Sequence, residues 1–146
     1  MPWAITFIVC WVLFFIFVDL RKLKDNIIGG ILAVALATFV DNGARILCLY
    51  EFNDLIISWV GLPVFYIWGP IFTMGVLFMQ YVPQHKWLQA LHVLVFSITF
   101  AAVDFLLVQV NAADYIHWHW LASFFVNCVC FGSLTWITQA FIRKRI

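Results

Sequence analysis

Apolar residues run almost unbroken along this chain, and polar ones gather in a few short interruptions. DLRKLKD at 19–25, EFND at 51–54, PQHK at 83–86 and NAADYIH at 111–117 divide it into five apolar runs. These runs cover about 2–20, 27–49, 58–80, 88–110 and 119–142. A helix needs roughly 20 apolar residues to cross a ~30 Å hydrocarbon layer, so each run is long enough to be a span. The pattern predicts an all-α fold, an integral membrane bundle of five transmembrane helices forming a single transmembrane domain over residues 1–146.

Composition sharpens the class. Charged residues make up 10% of the chain and hydrophobic ones 66%, with a mean hydropathy of +1.03. A soluble domain carries about 25% charged residues, so this chain cannot coat a water-facing surface. A net charge of +1 without a basic face excludes nucleic acid as a partner. The first apolar run is too long for a secretory signal peptide, and its positive charges follow it instead of preceding it.

Direction follows from Lys and Arg in the short connections. With the N-terminus outside, the cytoplasmic segments hold Arg21, Lys22, Lys24, Lys86, Arg143, Lys144 and Arg145, and the C-terminus is cytoplasmic. The outer side then holds Arg45 and the acidic Glu51, Asp54 and Asp114. Trp3, Tyr50, Trp59, Tyr81, Trp87, Tyr115, Trp118 and Trp120 fall near span ends, as interfacial anchors do.

The stretch FVDNGARI, residues 39–46, carries Asp41 and Arg45 one helical turn apart inside an apolar run. Asn42-Gly43 is a turn dipeptide, but stopping there would leave too few residues to cross. Gly29, Ala33, Ala37, Asp41 and Arg45 recur every fourth residue, with small side chains that allow close helix approach. The helix is therefore expected to continue to about Tyr50, with Asp41 facing protein and paired to Arg45. In the fourth span Gln89, Ser97, Asp104 and Asn111 share one arc, with His92 and Thr99 beside it. Asp104 falls near the depth of Asp41. Pro70, inside the third span, removes a backbone donor and is expected to interrupt that helix.

Candidate chemistry is sparse. His117-Trp-His119 shares a face only on an extended backbone, where Asp104 and Asp114 would complete a metal site with it; otherwise the two are interfacial histidines at a loop-to-helix junction. Cys128 and Cys130 project about 200° apart on a helix and cannot chelate together, so no metal or cofactor is expected. No nucleophile elbow, phosphate loop or zinc-protease motif is present, and the leading reading is non-enzymatic, with a membrane enzyme acting on lipid through His117 or His119 as base left as an alternative. The expected site comprises Asp41, Arg45, Asp104, His117 and His119 in an outer-leaflet polar cavity. It would take a small ligand, a lipid headgroup or an ion. The alternatives are a proton- or ion-coupled transport component using Asp104, and a structural or assembly protein with a membrane-protein partner or a second copy.

EFNDLIISWVGLPVFYIWGPIFTMGVLF, QYVPQHKWLQALHVLVFSITFAAVDFLLVQ and YIHWHWL together resemble an uncharacterised family of small multi-pass membrane proteins from endospore-forming Gram-positive bacteria. The likeness covers about half the chain. It lies in the acidic lead-in to a proline-interrupted span, the basic turn after a tyrosine, and the acidic residue late in the next span. It implies a bacterial cytoplasmic membrane and carries no activity with it. Five spans, eight tryptophans and WGPIFTM also give an architectural likeness to tryptophan-rich sensory proteins. The last span here lacks that family's Pro-Tyr and Leu-Asn patterns.

Overall fold

The computed structural model describes residues 2–142, so the basic tail Arg143, Lys144 and Arg145 lies outside the described residues. The chain is predominantly helical. α1 spans Pro2–Phe17 and α2 spans Leu23–Ile46. α3 runs over Val64–Tyr81, with a π turn at Ile67–Ile71. α4 covers Lys86–Gln109, and α5 begins at Trp120 and ends in a π turn over Thr138–Ile142. Four short strands join them: β1 (Tyr50–Phe52), β2 (Ser58–Trp59), β3 (Leu62–Pro63) and β4 (Ala113–Tyr115).

α2, α3, α4 and α5 are each long and apolar enough to cross a membrane. α1, expected as a full span over 2–20, has only 16 residues, or about 24 Å of helix. It stops at Phe17 because the chain turns there, with the Asp19 N–H donating to Gln80 Oε1 at 2.9 Å and Gln80 Nε2 donating to the Phe17 carbonyl at 3.0 Å. The expected third span also starts late. Residues 58–63 form a hairpin, with Ser58 opposite Pro63 and Trp59 opposite Leu62. Val60 and Gly61 occupy its loop with φ of 54° and 75°. Positive φ at both central residues is what a two-residue hairpin loop requires.

α1, α2 and α3 form one group, and the α4–α5 hairpin packs against it. The α2–α3 seam is close. A Cβ added at Gly75 would stand 2.5 Å from Ala33 Cβ and 2.6 Å from the Gly29 carbonyl oxygen, so this crossing tolerates no larger residue. In the α3 π turn, the Phe72 N–H reaches the Ile67 carbonyl five residues back, around the donor that Pro70 lacks. Outward faces stay apolar and exposed, as at Ile8, Ile16, Phe39, Ile98, Phe105 and Val129.

The two ends of the bundle differ. At one, the α1–α2 and α3–α4 turns carry Arg21, Lys22, Lys24 and Lys86. At the other, β1 pairs antiparallel with β4, setting Tyr50 opposite Tyr115 and Glu51 opposite Asp114. Asn53 Nδ2 donates to Asp114 Oδ2 at 2.7 Å, and Trp3 Nε1 donates to the Asn53 carbonyl at 2.7 Å. Trp3 is thereby buried in the core instead of anchored at a surface.

Candidate functional site

The i, i+4 ladder carries α2 past Asn42-Gly43 to Ile46 and brings Asp41 to the face that meets α4 and α5. The expected Asp41–Arg45 pair is not formed. Arg45 is exposed, donates from Nη2 to Asn42 Oδ1 at 3.2 Å and lies against Gly61 of the hairpin. Asp41 instead accepts a short hydrogen bond from the Tyr50 hydroxyl. Tyr50 is in β1, nine residues on, and only 8% exposed.

Asp104 has the matching arrangement on α4. The Tyr66 hydroxyl, from the turn of α3 just before the π turn, donates to Asp104 Oδ1 at 3.0 Å. Asn127 on α5 adjoins the same carboxylate. Both carboxylates line one cavity of about 90 Å³ between the α1–α2–α3 group and the α4–α5 hairpin. At roughly 10–15 Å³ of probe volume per water, that space takes several waters or a small organic group.

Aromatic side chains form much of the remaining wall at the strand end. Tyr50 meets Trp118 edge-on at 5.5 Å and Phe52 at 5.6 Å between ring centroids. Trp118 Nε1 donates to Ser123 Oγ at 2.7 Å, and the Tyr115 hydroxyl shares that oxygen at 3.2 Å. The electrostatics of the rim report on the acids beneath it. Burial pushes the Tyr50 hydroxyl far above the ordinary tyrosine range, and the negative charge of Asp41 and then of Asp104 adds to the effect. Burial raises Tyr115 as well, with its Ser123 hydrogen bond working the other way.

Phe100 and Phe131 line the cavity, and further phenylalanines pack against Phe131. Phe78 of α3 stacks on Phe131 of α5 at 4.8 Å and meets Phe96 of α4 edge-on at 5.2 Å. His92 bonds through Nε2 to the Phe78 carbonyl at 3.0 Å and packs its ring against Phe78 and Phe96, both at 4.6 Å. Thr99 turns back to the Val95 carbonyl on an exposed face.

Of the residues expected in the site, the fold brings Asp41 and Asp104 together. Arg45, His117 and His119 are exposed and do not line the cavity. The His117 N–H donates to the Leu49 carbonyl, and His119 caps α5 by accepting from the Leu121 N–H at Nδ1. Among the described residues no three His, Cys, Asp or Glu are placed to hold a metal ion. Sequence reasoning took Tyr50, Tyr115 and Trp118 as interfacial anchors and passed over Tyr66 and Asn127. A tyrosine hydroxyl deep in an apolar run must find an acceptor, and Asp104 was the acidic group available in the next span.

Comparison with known proteins gives no match to a family model, a curated protein or a solved structure.

Proposed function

We propose that this chain is a multi-pass protein of a bacterial cytoplasmic membrane that binds a small cationic ligand in a polar cavity of the outer half. Membrane insertion is supported by the four long apolar helices and the exposed apolar faces around them. α1 completes a five-helix bundle despite its length, because hydrogen bonds tie its first turn to Asn53 and its last residue to Gln80, at opposite ends. Basic turns at one end and acidic strands at the other support an outside N-terminus and a cytoplasmic C-terminus.

One observation carries the binding reading. Two carboxylates from different helices, Asp41 and Asp104, line a single cavity whose described walls contain no Lys, Arg or His. Charged groups at membrane depth are costly unless paired, so a cation from outside the protein is the missing partner. Tyr50, Tyr66 and Trp118 add ring faces suited to an ammonium centre. Phenylalanine favours binding over passage, since Phe96 and Phe100 follow one another along α4 between His92 and Asp104 and both pack on Phe131.

Thermal unfolding of the protein in dodecyl maltoside, titrated with methylammonium and tetramethylammonium chloride, tests this reading. Wild type is expected to gain stability with ligand concentration, and Asp104→Asn and Asp41→Asn to lose the response. Equal behaviour of wild type and both variants across the series would remove the cation site.

A further inference from the structure

The cavity does not end at its carboxylates. On the side where α2 faces α5, Val40, Val126 and Cys130 belong both to the cavity wall and to an apolar groove. Phe125 and Val129 complete that groove on the outer surface, where they are 64% and 69% exposed. Val40 directly precedes Asp41, and Cys130 stands one turn beyond Asn127, so the carboxylate-bearing cavity and the apolar groove share the same stretch of both helices. At the strand end β1 pairs with β4, and Tyr50, Phe52, Ala113 and Tyr115 of these strands line the cavity.

Resting on the cation-binding reading above, we infer that the ligand is a membrane-resident amphiphile with a nitrogen-centred cationic head and a single apolar chain. The head sits between Asp41 and Asp104, and the chain leaves through the α2–α5 groove into the surrounding hydrocarbon. Two carboxylates on one side of Val40, Val126 and Cys130, and an apolar groove on the other, commit the groove to this occupant. An inorganic cation has no use for an apolar outlet. The groove also fits one chain better than two, because its walls are only the facing edges of two helices.

The decisive comparison uses tetramethylammonium and dodecyltrimethylammonium on the full chain in dodecyl maltoside, a detergent that contributes no ammonium group. Affinities are read from ligand-dependent unfolding of wild type, Asp104→Asn and Val129→Trp. Val129 faces outward, so the indole blocks the groove without entering the core. Asp104→Asn is expected to weaken both probes by about tenfold or more. Val129→Trp is expected to weaken only the dodecyl probe, by about tenfold. If Val129→Trp leaves the dodecyl probe unaffected, or weakens both probes equally, the chain path is wrong while the cation site stands. If wild type binds neither probe, both readings fall together.

Discussion

Tyr66 on α3 and Asp104 on α4 are 38 residues apart in sequence and joined by a 3.0 Å hydrogen bond at the floor of the cavity. The phenol is 5% exposed, and no other hydroxyl reaches this carboxylate within the described hydrogen bonds. The bond links the α1–α2–α3 group to the α4–α5 hairpin beside Asn127.

Tyr66→Phe removes that donor and leaves a buried acceptor. It is expected to destabilise the purified protein by about 1 kcal/mol or somewhat more. Tyr81→Phe loses only an exposed hydrogen bond to the Phe17 carbonyl, so its cost should be under about 0.5 kcal/mol. Reversible unfolding of the two variants in parallel checks the contrast, and equal losses would deny the Tyr66 bond any special weight.

Glycines separate in the same way. Gly75→Ala forces a methyl group onto Ala33 and the Gly29 carbonyl, and a loss of about 1–3 kcal/mol is expected from overpacking. Gly132 lies in the middle of α5 with nothing within 4 Å of an added Cβ. Gly132→Ala should therefore be neutral or raise stability by up to about 1 kcal/mol through helix propensity. Thermal midpoints of the pair measure this. A stable Gly75→Ala would mean that the α2–α3 seam is looser than its geometry.

Alkaline pH offers a test of the rim. The Tyr50 proton is held more tightly in the folded protein than in the unfolded chain, chiefly through burial and then through Asp41. Below the ordinary tyrosine pKa of about 10 both states keep the proton and its contribution is complete. As pH rises above about 10 the unfolded chain releases a proton that the folded one retains, so stability falls with pH. Melting curves between about pH 8 and 11 should show a shallower decline in Tyr50→Phe than in wild type. Parallel slopes would show that Tyr50 is not buried against Asp41.

Orientation can be read from a native thiol. Cys48 is exposed at the strand end of the bundle, two residues before β1. In intact cells it is expected to react with a membrane-impermeant maleimide. In a Cys48→Ser background, a cysteine introduced by Lys86→Cys should react only after lysis. The opposite pattern would invert the proposed topology.

The helices were legible because each is a long apolar run, and continuation of α2 through Asn42-Gly43 was legible from its small-residue ladder. The start of α3 was not. Ser58-Trp-Val-Gly-Leu-Pro63 is as apolar as the span behind it, and its loop carries Val60 where a hairpin would ordinarily advertise Asn or Asp. Arg45 was misassigned for a different reason. A local i, i+4 rule named Asp41 as its partner, whereas its long side chain finds Asn42 and the hairpin, and Asp41 is claimed by Tyr50. Asp41 and Asp104 themselves stood out as charges in apolar runs. Their tyrosine partners did not, since partnership between separate elements leaves no mark in helical spacing.

The β1–β4 pairing also bears on how such a chain is assembled. Tyr50 has no strand to pair with until residues 113–115 have been made and carried to the same side. Asp104 similarly lacks Asn127 until α5 is in place. The cavity is thus a property of the finished chain, assembled from pieces that emerge early and wait. A defect in any later helix would leave Asp41 and Tyr50 in the early product with half a site and no lid.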